Sequence, residues 1–253
     1  MISRAPRRLS RLCNLPLFLS LTLFTSCATL SAYLAIPTVP EHATQVRHLS
    51  TKPRVEKTAE ASFRDSVVIS ARSLLGQKPN ARVTLRGREF LLDCIGTVSA
   101  AWWGAGYDIQ RDFPEYQGNG TLRLFKSLED WEALHHTKEP KPGDIIFWEN
   151  TYDRNEDGIR YNDGITHAGL VVLVEDDGTV HYLHASYSRG VVIAFFNLRH
   201  PREPRSPQGK IWNSPMYLGS NYNKTNNPPH WLSGDLWTAF GDAEKTAREL
   251  GPS

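Results

Sequence analysis

Apolar and polar positions change rhythm several times along the chain. From Leu15 to Ile36 the run is apolar, broken only by Pro16 and small polar residues. Residues 37–56 are polar, carry three prolines and show no period, which predicts a tether. Between Lys57 and Leu75 the apolar positions Ala61, Phe63, Val67, Val68, Ala71, Leu74 and Leu75 follow helical spacing, with Gly76 placed to end the helix. Val83–Phe90 is strand-like with a turn at Gly87. Asp93 is then positioned to cap a helix from Cys94 to about Trp103, stopped by Gly104 and Gly106. A second amphipathic helix is predicted over Thr121–His135, with His135-His136 at its C-terminus, where they suit the helix dipole.

Past Pro140-Lys-Pro-Gly143 the period shortens to that of strands. Asp144–Trp148, His167–Val174, Val180–Ala185 and Gly190–Phe196 are short, β-branched and bounded by turns such as Asp176-Asp177-Gly178. From Pro201 the chain is rich in proline and asparagine until an apolar segment at Trp231–Phe240. Helices first and antiparallel strands after them predict an α+β domain, its N-terminal helices packed on a small antiparallel sheet covered on one side. The expected division is a signal at 1–27, a tether at 28–56, one domain at 57–200 and a C-terminal extension at 201–253.

Composition changes this picture mainly at the N-terminus. With 253 residues and 40% apolar content the chain builds a core, and 22% charged residues exclude a polytopic membrane protein. Residues 1–11 carry Arg4, Arg7, Arg8 and Arg11 and no acid, so with the apolar run behind them they read as an export signal. Leu23-Phe24-Thr25-Ser26-Cys27 resembles a bacterial lipobox, in which Cys27 would be lipidated; Phe24 departs from its smaller aliphatic preference. Cleavage near Ala32 and an uncleaved anchor are the other outcomes. All three take the protein out of the cytoplasm; lipidation or an uncleaved anchor would make the membrane a partner, and the lipobox resemblance implies the bacterial cell envelope. The formal charge of +2 also belongs to this segment: without residues 1–27, 25 basic residues face 27 acidic ones and the net is −2. No basic run survives, which argues against a nucleic-acid partner.

The cysteine count is more pointed. Of Cys13, Cys27 and Cys94, only Cys94 belongs to the folded part, so an exported domain holds one thiol without a disulfide partner. Cys94 opens a helix, where free N–H groups and the dipole are expected to lower its pKa. His167 opens a strand after a loop, and His184 lies late in the next strand of the same hairpin. A thiol nucleophile needs a histidine to take its proton and a polar group to orient that histidine. Cys94, His167 and His184 supply these types. His181 competes with His184 for the third role, since alternation puts the two on opposite faces.

Four segments in order then resemble the NlpC-type cysteine peptidases of bacterial cell walls: Asp93-Cys94-Ile95-Gly96, Pro142-Gly143-Asp144 followed by Phe147-Trp148, His167-Ala168-Gly169, and His184-Ala185-Ser186. The match spans roughly residues 60–198. It implies a papain-like fold, nucleophile Cys94, base His167, orienting His184, and hydrolysis of an amide in peptidoglycan stem peptides through an acyl-enzyme. It requires no cofactor. Two positions depart from the family: Ile95 stands where Ser is usual, and no tyrosine occurs between Gly76 and Cys94. The rival readings are a CHAP-type peptidoglycan amidase and a catalytically silent envelope-binding module.

Asp153, Asn155 and Asp157, with Gly158, set oxygen ligands at alternate positions around a sharp turn, as in a calcium loop. The twelfth position is Gly164 rather than glutamate, and a solvated acidic hairpin is the competing reading. Trp102, Trp103, Trp131 and Trp148 are expected in the core, and Trp231 and Trp237 as a clasp over the domain.

Overall fold

The computed structural model describes residues 56–159, 161–216 and 230–253, with the side chains from Phe63 onward. The segments expected to be an export signal and a tether, with Cys27, lie up to residue 55 outside the described residues. What is described falls in a single unit, Lys52–Ser253. Among the described residues no helix is long and apolar enough to cross a membrane.

Among the described residues the fold is mixed α+β, with four α-helices, a two-stranded hairpin and a six-stranded antiparallel sheet. Helix α1 (Glu56–Ser73) buries Val67 and Ala71, and Leu74, just past its end, continues the buried stripe. Strands β1 (Arg82–Leu85) and β2 (Arg88–Leu91) form the hairpin through a two-residue turn at Arg86-Gly87. Helix α2 (Cys94–Gly104) is buried continuously from Gly96 to Trp102, so it is a core helix rather than an amphipathic one. Its start is set by Asp93, whose Oδ1 accepts the Gly96 N–H at 2.7 Å. Gly96 itself is dictated by a close approach: a Cβ there would stand 1.8 Å from the Leu91 carbonyl oxygen.

Helix α3 (Gly120–Asp130) ends earlier than its periodicity predicts. Glu132 takes a left-handed φ of 51°, the Ala133 N–H returns to the Leu128 carbonyl at 2.8 Å, and Leu134–His135 extend as β3. His135 is therefore in a strand and not at a helix end; its Nε2 lies 3.6 Å from Asp144.

Strands β4 (Ile145–Glu149), β5 (Ile165–Val174), β6 (Thr179–Ser186) and β7 (Gly190–Asn197) follow the predicted order within one or two residues at each end. The sheet runs β3-β8-β4-β5-β6-β7, where β8 (Trp237–Gly241) precedes helix α4 (Ala243–Leu250). Two expectations are corrected here. The boundary at residue 200 does not separate a domain from an extension, because β8 sits inside the sheet between β3 and β4. The sheet is covered on both faces, not one. Helices α1, α2 and α3 cover one face over Ile145, Phe147, Ala168, Leu170 and Leu183. Leu198, Met216 and Leu236 cover the other over Ile146, Trp148, Val171, Tyr182 and Phe196. The reason is visible in β4, where Ile145-Ile-Phe-Trp148 is buried at every position and so needs partners on both sides. Trp102 and Trp148 are fully buried as expected, and the Trp148 indole N–H donates to the Ser233 carbonyl at 2.7 Å, tying down the C-terminal segment. Trp231 and Trp237 pack against this second core.

The Pro142-Gly143-Asp144 segment is a joint. Asp144 is 2% exposed and accepts from the Arg64 guanidinium at 2.9 Å, the Lys141 N–H at 2.7 Å and the Ala243 N–H at 3.0 Å. Arg64 also reaches the Pro142 carbonyl and Glu244. One carboxylate thus holds α1, the start of β4 and α4 together. Burial alone would raise its pKa, but His135, the two N–H groups and Arg64 outweigh it and keep the carboxyl below its ordinary range.

Candidate active site

Local structure brings the three candidate residues to one cavity. Capping by Asp93 puts Cys94 on the first residue of α2. Antiparallel pairing of β5 with β6 sets His184 near His167, and their Nδ1 and Nε2 atoms are 2.9 Å apart. All three line a cavity of about 430 Å³. His181 does not: it bonds Glu175, which also takes the Lys210 ammonium at 2.8 Å. The alternation of β6 thus gives His184, and not His181, to His167.

The bond to His184 uses Nε2 of His167 and leaves Nδ1 as its free ring nitrogen. The Trp148 ring lies against the His167 imidazole, 5.7 Å between centroids. His184 is 5% exposed; its Nδ1 has a partner, and its Nε2 is buried without one among the described residues. Burial lowers the pKa of His167 to about 4. It takes His184 well below its usual value, and the nearby charges of His167 and Arg189 act in the same direction. Both imidazoles are therefore neutral near pH 7.

The thiol departs from its expectation. Burial pushes the Cys94 pKa up and outweighs the groups that lower it, the Thr121 hydroxyl and the N–H groups of Ala168 and Ile95; Asp93 adds to the rise. A helix start is not enough to make a thiolate when the sulfur is taken out of water. Cys94 rests as a neutral thiol, its Sγ 3.4 Å from Thr121 Oγ1. Ile95, in place of the family's usual serine, is partly buried and packs on the main core, where a Cβ on Gly120 would stand 2.9 Å from its methyl carbon.

Three neighbours carried no signal along the chain. Thr121 comes from the first turn of α3 and is 2% exposed. Tyr152, in the β4–β5 loop, lines the cavity; its phenol is pushed up by burial and then by the nearness of Cys94. Arg189, in the β6–β7 hairpin, stands at the cavity edge. Only tertiary structure assembles them.

Most oxygens of the acidic loop ahead of β5 close turns within the loop, while Asp153 Oδ1 is buried without a partner among the described residues. Asp157 accepts from the side-chain amides of Asn155 and Asn162 and from the Ile159 N–H. Asp153 accepts from the Gly158 N–H, and Asp163 from the Arg154 and Asn155 N–H groups. These are turn-closing bonds. Among the described residues there is no group of three or more His, Cys, Asp or Glu side chains placed to hold a metal ion.

No family model, no curated protein and no solved structure matches the chain.

Proposed function

We propose that the chain is an exported, papain-like cysteine hydrolase that cuts amide bonds in peptidoglycan stem peptides as an endopeptidase. The observation that carries this reading is the 2.9 Å bond between His167 Nε2 and His184 Nδ1 in the cavity lined by Cys94. It fixes one ring nitrogen of His167 and leaves the other for a thiol. The bacterial setting and the stem-peptide substrate rest on the residue pattern of the four segments and on the predicted signal with Cys27.

In this mechanism thiol and imidazoles begin neutral. As Cys94 Sγ attacks the carbonyl carbon of the scissile amide, its proton passes to His167 Nδ1. The proton on His167 Nε2 points to His184 Nδ1, which steadies the imidazolium that forms. The carbonyl oxygen takes the electron pair. When the tetrahedral centre collapses, the carbon–nitrogen bond breaks and His167 returns the proton to the leaving amine. Water, deprotonated by His167, then attacks the thioester and releases Cys94. At the start of α2, where the Gly96 N–H is taken by Asp93, the Cys94 N–H is available to the developing oxyanion.

The test is purified cell wall incubated with the wild type and with Cys94→Ala, with products read by mass spectrometry. Released stem-peptide fragments from the wild type alone are expected. Equal product from both proteins would sink the thiol mechanism. Cleavage at the glycan–peptide link instead would make the protein an amidase, and no product from either would leave a binding module.

A further inference from the structure

We propose that Thr121 is a further catalytic residue, whose hydroxyl turns to donate a hydrogen bond to the Cys94 sulfur as the thiol loses its proton. The proposal rests on the hydrolase reading of the cavity and adds a residue to that site.

Two helix starts meet at the sulfur. Cys94 is the first residue of α2 and Thr121 the second of α3, and Sγ lies 3.4 Å from Thr121 Oγ1. The start of α3 is held from three sides. Asn119 caps it, its Oδ1 accepting the Leu122 N–H at 2.8 Å. Leu124 and Leu128 are fully buried and seat the helix in the main core. Gly120 rests on the side chain of Ile95, the residue after Cys94, with no room for a Cβ between them. The branched Cβ of Thr121 then limits where its oxygen can stand.

The hydroxyl is also uncommitted to its own backbone. Two other buried helix hydroxyls donate to the carbonyl four residues back: Ser127 Oγ to Arg123 at 3.0 Å, and Thr246 Oγ1 to Asp242 at 2.7 Å. Thr121 lies in the first turn, where the residue four back, Gln117, is outside the helix. Among the described residues its hydroxyl bonds only to the Cys94 sulfur. Beside a thiol either atom can donate; beside a thiolate only the O–H can.

Burial creates the need for such a donor. It opposes a charge on the sulfur, and Asp93 adds to that opposition; the Thr121 hydroxyl is the strongest group acting the other way, ahead of the Ala168 and Ile95 N–H groups. During the attack the proton passes from Sγ to His167 and the S–H electron pair stays on sulfur. Thr121 keeps its own proton throughout and only turns it toward the developing charge. A hydrogen bond to a charged acceptor is stronger than the neutral bond it replaces, so the hydroxyl favours the reacting state over the resting one.

The test titrates the Cys94 thiol by its rate of alkylation with iodoacetamide, read at the Cys94 peptide by mass spectrometry from neutral to alkaline pH. Wild type, Thr121→Val and Thr121→Ser are compared. The other ionisable side chains lining the cavity, Asp93, Tyr152, His167, His184, Tyr187 and Arg189, are common to all three. Valine keeps the shape without the hydroxyl and should raise the midpoint by roughly one pH unit, the worth of one hydrogen bond to a charged group. Serine keeps the donor and should titrate with the wild type. On cell wall, Thr121→Val should lower kcat by roughly tenfold and leave KM in place. A midpoint unmoved in Thr121→Val, or moved equally in Thr121→Ser, would overturn the proposal. Urea melts identify a variant that fails to fold, and Thr121→Ala then takes the place of valine in the same comparison. Because alkylation needs no substrate, a shifted midpoint in a protein that releases nothing from cell wall would refute the hydrolase and leave the hydroxyl's hold on the thiol. Release by the wild type with an unshifted midpoint would refute the role of Thr121 alone.

Discussion

Two of the polar clusters buried in this fold are built in opposite ways. At the joint, Asp144 takes four groups at once: Arg64, His135, and the N–H groups of Lys141 and Ala243. Its charge is kept despite burial, and its carboxyl titrates below the ordinary range. In the cavity, His184 has one partner and an orphan nitrogen, and burial drives both imidazoles toward neutrality with nothing to offset it. An over-supplied group is static, because every displacement costs a bond. An under-supplied one keeps a proton that can be exchanged. The joint is a stabilising device, and on the proposed function the histidine pair is the reactive one.

Mutations should therefore separate activity from stability in opposite directions. His167→Ala should lower kcat by roughly 10²–10⁴-fold, the usual worth of a positioned base, with little change in the urea midpoint. Asp144→Ala should do the reverse. It leaves Arg64 and two N–H groups with a lost acceptor and should cost about 3–5 kcal/mol in denaturant melts, while the folded fraction keeps its specific activity. If Asp144→Ala lost activity at full stability, the joint would belong to the chemistry and the contrast would fail.

A smaller effect tests the third residue of the site. His184→Leu removes the orphan nitrogen but strands Nε2 of His167, so stability should barely move while kcat falls and KM holds. His184→Asn keeps an acceptor near the same place and should recover part of kcat. Equal losses in the two variants would mean that His184 acts by packing alone.

What could be read along the chain was local. Asp93 before Cys94, the turn glycines and the two-residue rhythm of β5 and β6 are each determined by neighbours in sequence, and all appear where their patterns put them. What failed was long-range. Trp237–Gly241 pairs with β4 and β3, and neither partner is written into five residues of apolar pattern. The early end of α3 depends on the left-handed Glu132 and on that same pairing. The thiol's raised pKa was missed for a related reason, since a helix start is a local feature and burial is not. Tyr152 and Arg189 reach the cavity, and Thr121 reaches the Cys94 sulfur, through packing, which no spacing along the chain announces. The unbroken apolar run in β4 was the one legible sign of a sheet covered on both faces.

The pH axis separates the two clusters most finely. His167 titrates at about 4 in the folded chain, against 6.5 in an exposed imidazole. As pH falls below about 6.5 the unfolded chain takes up that proton first, so stability declines between roughly pH 6.5 and 4 and the decline from this group then ends. His184, with its pKa also depressed, extends the loss in the same direction. Asp144 works in a lower window. Its folded pKa lies below the ordinary 3.8, so its contribution is intact above that value and is lost only as pH falls further. Urea midpoints measured from pH 8 to 3 should thus begin to fall near 6.5, and a His167→Gln, His184→Gln double variant should flatten that first decline. The variant should leave the acid-side loss from Asp144 in place. The acid limb of kcat/KM should follow the histidine too, centred near 4 rather than 6.5, because that is where the free protein's base becomes protonated. An acid limb near 6.5 with a flat stability curve above pH 4 would mean that the imidazoles are well solvated, and the two clusters would no longer differ in kind.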